Sequence, residues 1–431
     1  MPMAIQPPFA DKIHFQEQKA PSHKTVFSVT AIETQSTSDE IQQNGKTAAS
    51  TCTIIDLAGD AEAEAEAETA QEEQPDLNLV GSKQRALVIT PSRAFQIIHD
   101  FPVPRELAPG DVMIRNKAAG LNHIDWKSVE YNFCLPELPW IIGREMAGVV
   151  ERVGTEVTNL KPGDHVWTST YYRDRRAGCF QDLVVVPHHT VFLIPSNLDF
   201  HAAAILGVAG LTAAMTLWRW LGVPMHPDPA PAIGTGTNRQ RPEVLLIWGG
   251  STVTGQFAIQ LAARVGVEVI AVCSGATAPT VSSLGATHIV TYTGKTHAQV
   301  VNEIVCLARR RLTKAIDLVG SVTANLVLQV VAACDHDQPV DFAPLAYMSG
   351  REVVPSNVRL HVVEMKQFVM DSSCRVYGAQ LNHLIEQGAI KLPEVSVLQG
   401  GVDVVEEGLR QVKEGNLAGR KLVVSWSPSD G

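Results

Sequence analysis

The sequence has no C-x-x-C pair, no basic excess and no long uninterrupted apolar run. Each absence excludes something. Seven scattered cysteines without framework spacing do not make a disulfide scaffold or a zinc ribbon, and they predict reduced, cytoplasmic thiols. The first residues are polar and proline-bearing, so no secretory leader is expected. The net charge is −10, and Met1–Val80 accounts for all of it with fourteen Asp/Glu against four Lys. The remainder is neutral, which argues against a nucleic-acid partner. The most apolar stretch, Ala202–Trp218, is rich in Ala and Gly and holds two threonines. It reads as a buried helix, and no membrane span is expected.

Residues 1–81 also lack a hydrophobic pattern. They are rich in Gln, Ser, Thr and Glu and include an Ala-Glu repeat over 61–68. Such a segment cannot bury enough apolar surface to offset chain entropy, so a disordered acidic tail is expected.

What is present begins at Gln84. Short Val- and Ile-rich runs alternate with Gly/Pro turns through Ile194, which predicts a β-barrel lobe. The centre of the chain is Glu243–Ala262. Val244–Trp248 is a short apolar run suited to a buried parallel strand. Gly249, Gly250, Ser251, Thr252, Val253, Thr254 and Gly255 form a turn of small residues, and a helical pattern follows. Strand, glycine turn and helix form the phosphate-binding opening of a dinucleotide fold, where helix N–H groups point at the pyrophosphate. The turn departs from G-x-G-x-x-G: Thr252 stands where a middle glycine is common, and its hydroxyl is a candidate phosphate donor.

A second strand, Val267–Ser274, follows at βαβ distance. An NAD site usually ends this strand in Asp or Glu, to bind the ribose 2′-hydroxyl. Here it ends in Cys273-Ser274-Gly275-Ala276-Thr277. Ser274, Thr277 and the more distant Tyr292 are candidate donors to a 2′-phosphate, which points to NADPH. No Lys or Arg lies in Ser274–Leu284 to assist. Strand-helix alternation continues through a strand predicted at Pro344–Gly350. The expected fold class is α/β. A GroES-like β-barrel lobe (82–200) precedes a doubly wound parallel Rossmann domain (201–350), and 351–431 return to the first lobe.

Four stretches carry a family resemblance. Ala118–Lys127 (AAGLNHIDWK), Gly143–Gly154 (GREMAGVVERVG), Lys161–Val166 (KPGDHV) and Leu206–Ala213 (LGVAGLTA) resemble, in order, motifs of the medium-chain dehydrogenase/reductases. The zinc enzymes of that superfamily carry three catalytic ligands. At the matching places this chain has Asn122, Arg144 and approximately Val208, so no metal is expected. Gly249–Thr252, Asp125-Trp126-Lys127, the Pro-rich insertion before Val244 and Ile316–Ser321 resemble the trans-acting enoyl reductases of fungal polyketide synthases.

The resemblance implies hydride transfer from NADPH to the C=C of an enoyl thioester on a polyketide synthase acyl carrier protein. It implies Lys127 beside cofactor and substrate, and Thr212 on the nicotinamide amide. It further implies Gly249–Gly255 on the pyrophosphate, Ser274 and Tyr292 at the 2′-phosphate, and a monomer. Two alternatives stand beside it. One is a quinone oxidoreductase or alkenal reductase acting on free small molecules. The other is an NADPH-binding accessory protein without catalysis. Arg309–Arg311 with Lys314 is a candidate basic patch for an acidic carrier, or a solvated helix end.

Overall fold

The computed structural model describes residues 82–227, 243–334, 338–415 and 417–426. The acidic segment 1–81 and most of the Pro/Gly-rich insertion (228–242) lie outside the described residues.

All five residues of Val244–Trp248 are buried. The strand lies inside a six-stranded parallel sheet. The order is His288–Thr291, Glu268–Cys273, Val244–Trp248, Leu312–Asp317, Val340–Pro344, Val358–Leu360. The chain leaves Val244–Trp248 toward one edge, then returns to build the other side from Leu312–Asp317. That reversal creates a switch point beyond the carboxyl ends of these two strands, where ligands bind in such sheets. Helices such as Val253–Ala263 and His297–Ala308 bury their apolar positions against the two faces.

The strand expected at Pro344–Gly350 is instead Val340–Pro344. Val340, Phe342 and Ala343 supply the buried positions. The Leu345 N–H still donates to the Asp317 carbonyl at 2.8 Å, but Pro344 has no N–H to extend the pairing with Val358–Leu360 on the other side. The edge strand Val358–Leu360 lies beyond residue 350, where the sequence suggests a return to the barrel lobe.

In the barrel lobe a seven-stranded sheet centres on Asp111–Gly120. That strand pairs antiparallel with Glu145–Val153, with Leu183–Pro187 and, late in the chain, with Lys421–Ser425. The pairing of Val423 with Gly120 brings the end of the sequence back to the loop after Gly120.

Phe200–Trp220 is long and apolar enough to cross a membrane by composition, but 72% of its most apolar window is buried inside the protein. Its helix contains two π turns, Leu206–Gly210 and Thr216–Trp220. Side chains from both lobes join it in one core, among them Ala118, Trp167 and Phe257. A Cβ on Gly207 would run into the Thr168 carbonyl and lie 2.9 Å from the Glu145 Cβ, so glycine permits this approach to the barrel.

Candidate active site

The glycine turn after Val244–Trp248 is built by close approach. Gly249 has φ +90°, a conformation side chains disfavour, and a Cβ there would lie 3.0 Å from Val319. A Cβ on Gly250 would lie 2.9 Å from that of Ala271 on the neighbouring strand. A Cβ on Gly255 would strike the Gly249 carbonyl, so the helix could not sit this close to the turn. Thr252 caps the helix, its hydroxyl oxygen accepting from the Gly255 N–H at 3.1 Å. Accepting that bond leaves the hydroxyl proton free to donate outward. The turn thus fits a dinucleotide pyrophosphate: small residues, a tight bend and first-turn N–H groups facing open space.

That space is a cleft of about 310 Å³. Ser251–Thr254 and Leu318 line it from the parallel sheet. Asn122, His123 and Lys421 line it from the barrel lobe, and Ala209 from the π turn. The turn before the last strand clamps the glycine turn: Gln256 Nε2 donates to the Gly419 carbonyl at 2.7 Å and to the Ser251 carbonyl at 3.0 Å.

Behind the cleft lies a buried polar network. Lys421 Nζ is 2.5 Å from Glu145 Oε1 and donates to Asn122 Oδ1 at 2.6 Å. Asn122 Nδ2 donates to Glu145 Oε1 at 3.0 Å, and the Val208 N–H donates to Glu145 Oε2 at 2.6 Å. Glu145 therefore joins Asn122 to Val208, two of the three places matched to zinc ligands, and the third, Arg144, precedes it in the chain. Arg144 is 8% exposed and lies 5.0 Å from the Tyr172 ring centre. Among the described residues no cluster of three His, Cys, Asp or Glu groups is placed to hold a metal.

Two groups here titrate unusually. Asp125 is fully buried, and burial raises its pKa to about 7 against the opposing charge of Arg144 and the Asn122 N–H bond. His123 stands solvent-exposed at the cleft rim, its Nδ1 accepting from the Trp126 Nε1–H at 3.3 Å. Desolvation and the positive charges of Lys127 and Lys421 lower its pKa to about 4, so its ring is neutral at pH 7.

The candidate residues fall into three places. Gly249–Gly255 form the turn, with Ser251–Thr254 on the cleft wall. Ser274, Thr277 and Tyr292 lie together at the end of Glu268–Cys273. Ser274 Oγ is 2.9 Å from Thr277 Oγ1, and the Tyr292 N–H donates to the Cys273 carbonyl at 3.1 Å. Thr293 joins them by accepting from the Gly275 N–H at 2.9 Å. Lys127 and Thr212 do not line the cleft. Lys127 lies one helical turn after His123, its Nζ 5.7 Å from the Trp126 ring centre. Thr212 is half-buried, one turn after Ala209.

Sequence reasoning missed His123, Asp125, Glu145, Thr293, Leu318 and Lys421 as site residues. For Lys421 only the strand pairing reveals the placement; Thr293 was legible as a further hydroxyl beside Tyr292. The basic run is not a free patch. Arg311 pairs with Glu268 at 2.7 Å, and Lys314, 7% exposed, pairs with Glu243 at 2.6 Å.

Residues 108–196 match the alcohol dehydrogenase GroES-like domain. A trans-enoyl reductase of Petromyces alliaceus is 27% identical over 369 residues, covering 81% of this chain and 99% of that protein. Two solved structures share the fold. The CurK enoyl reductase has a TM-score of 0.62 at 19% identity, covering 80% of this chain and 100% of that one. The Escherichia coli quinone oxidoreductase complexed with NADPH has a TM-score of 0.62 at 18% identity, covering 80% and 99%.

Proposed function

We propose that this chain, an oxidoreductase of the medium-chain dehydrogenase/reductase type, uses NADPH to reduce the C=C of an enoyl thioester carried on a polyketide synthase acyl carrier protein. One observation carries the reading: a glycine turn of the form that suits a pyrophosphate and the Lys421–Glu145–Asn122 network line one cleft from opposite sides. The Petromyces alliaceus relative named a trans-enoyl reductase supports an enoyl group as substrate. The cytoplasm is the setting this reading requires.

The bound cofactor would supply a hydride equivalent. Gly249–Gly255 would hold its pyrophosphate. The hydroxyl cluster of Ser274, Thr277 and Thr293, with Tyr292 beside it, would take a 2′-phosphate, with no carboxylate to repel it. Lys127, whose charge acts on His123 at the cleft rim, and Thr212, one helical turn after Ala209, lie outside the cleft lining and would have to move toward it to meet the cofactor's reactive end. Residues of this chain do the remaining work. The cleft walls orient the acyl group. Fixed donors meet the negative charge that reduction places on the carbonyl oxygen. Lys421, paired with Glu145 and held by Asn122, would present its remaining N–H to the barrel side of the cleft.

The test compares four substrates with NADPH and NADH: an enoyl thioester on a carrier protein, the same acyl group on free pantetheine, a quinone and an alkenal. The reading expects turnover of both thioesters, fastest on the carrier protein, and preference for NADPH. Turnover of the quinone or alkenal alone overturns it in favour of a free-substrate reductase. NADPH binding with no turnover indicates the accessory role.

A further inference from the structure

We propose that Gln256 is a positioning residue for the cofactor: its side-chain amide holds together the two walls of the cleft between which the pyrophosphate lies. This deepens the function above and rests on the cleft receiving NADPH.

Gln256 is 5% exposed and sits one turn into the helix that follows the glycine turn. It does not itself line the cleft, but both residues whose carbonyl groups it binds do. Its Nε2 donates to Ser251 on the glycine turn at 3.0 Å and to Gly419, 163 positions later, at 2.7 Å. A primary amide carries two N–H groups, and these two carbonyl oxygens take them. The bridge therefore joins the parallel-sheet wall directly to the barrel wall.

The turn on the barrel side is held in a disfavoured shape. Leu417-Ala418-Gly419-Arg420 is closed by the Arg420 N–H, which donates to the Leu417 carbonyl at 2.9 Å. Ala418 has φ +48° and Gly419 φ +81°. Positive φ at both central positions, as in a type I′ turn, favours Gly, Asn or Asp and works against alanine. A residue persists in that region where its surroundings over-determine it. Gln256 supplies such a constraint by fixing the Gly419 carbonyl. The approach of the walls is also close: a Cβ on Gly419 would lie 2.6 Å from the Ser251 carbonyl oxygen and 3.1 Å from Gln256 Nε2.

The bridge exists within the chain itself, so a ligand that crosses the cleft meets both walls already set. Less of its binding energy then goes into drawing them together. A ligand confined to the sheet side gains nothing from this. The hydroxyl pair of Ser274 and Thr277 lies at the end of the neighbouring strand, outside the cleft lining. Gln260, one helical turn after Gln256, makes a bridge of the same kind elsewhere. Its Nε2 donates to the Lys391 carbonyl at 2.9 Å, and its Oε1 accepts from the Lys391 N–H at 2.8 Å. Lys391 does not line the cleft. The two glutamines thus separate holding the cleft from holding the fold.

The test uses the full chain carrying Gln256→Leu, Gly419→Ala or Gln260→Leu. Four quantities are measured: NADPH Kd and dissociation rate by fluorescence, the Kd of adenosine 2′,5′-bisphosphate by calorimetry, and melting temperature. That fragment carries the 2′-phosphate and lacks the nicotinamide half. For Gln256→Leu, NADPH Kd should rise about tenfold, mainly through faster dissociation. Fragment Kd should stay within about twofold of wild type, well under 1 kcal/mol. Gly419→Ala leaves Gln256 intact and pushes the walls apart, and it should act in the same way. Gln260→Leu should lower the melting temperature and leave NADPH Kd within about twofold. An unaltered NADPH Kd in Gln256→Leu overturns the proposal. So does unfolding, or a parallel loss of NADPH and fragment affinity, because either marks a structural role. Equal weakening by Gln260→Leu also overturns it, because any contact between the lobes would then serve. If the wild-type chain binds no NADPH, the cofactor reading fails, and this one with it.

Discussion

Lys421 and Glu145 form a buried ion pair at 2.5 Å, with 6% and 0% of their side chains exposed. One belongs to the last strand and the other to a strand of the early barrel. The pair is completed by Asn122, which bonds both partners. Asn122 and Lys421 line the cleft opposite the glycine turn, so the last strand helps to build that cleft.

Breaking that pair from one side should be severe. Lys421→Met leaves the buried Glu145 side chain without its cation, a change that typically costs about 3–5 kcal/mol. Denaturant unfolding should show a lower midpoint with an unchanged slope. The paired change Lys421→Met with Glu145→Gln should recover much of the loss. A single variant as stable as wild type would mean that water reaches the pair.

Gly255→Ala tests the turn. The added methyl group meets the Gly249 carbonyl, which is backbone and cannot swing aside. The helix start must move away from the strand end, carrying its N–H groups with it. NADPH titration should show at least tenfold weaker binding, about 1.4 kcal/mol. Equal affinity would place the pyrophosphate elsewhere.

Ser274→Asp tests cofactor choice. The substitution removes a hydroxyl donor and sets a carboxylate among Thr277, Thr293 and Tyr292. Lost bonding and new repulsion together should cost NADPH about 2 kcal/mol, and NADH much less. Both cofactors are titrated at one ionic strength. Unaltered NADPH affinity would remove Ser274 from the phosphate site.

Asp125 predicts a pH dependence of stability. Its folded pKa, about 7, lies above its ordinary value of 3.8. The folded state therefore holds the proton more tightly than the unfolded state. This contribution favours folding at low pH and is lost as pH rises between about 4 and 7, on the order of a few kcal/mol in all. Asp125→Asn should flatten that part of the stability profile, and should stabilise the protein most above pH 7. A profile unchanged by the substitution would show that Asp125 titrates normally.

The local pattern was enough for the strand-turn-helix at Val244–Ala263. Apolar run, glycine spacing and helical period are all short-range, and each constrains the backbone where it stands. The same holds for the hydroxyl-rich end of the second strand. The misplaced strand at Pro344–Gly350 shows the limit. Its apolar residues were visible, but their register depended on pairing with Leu312–Asp317.

The sequence alone determined the two-lobed α/β class and the glycine turn between strand and helix. Tertiary structure alone decided what stands across the cleft from that turn. Asn122 and Lys421 lie 299 positions apart and Glu145 falls between them, so no local spacing encodes their contact. Antiparallel pairing of the last strand with Asp111–Gly120 brings them together, and burial then gives each charge its effect. Arg144 follows the same logic. In sequence it is an arginine where a histidine would bind zinc; only the packed protein shows that its buried donors lack a partner, because satisfaction of a hydrogen bond is a property of the neighbours.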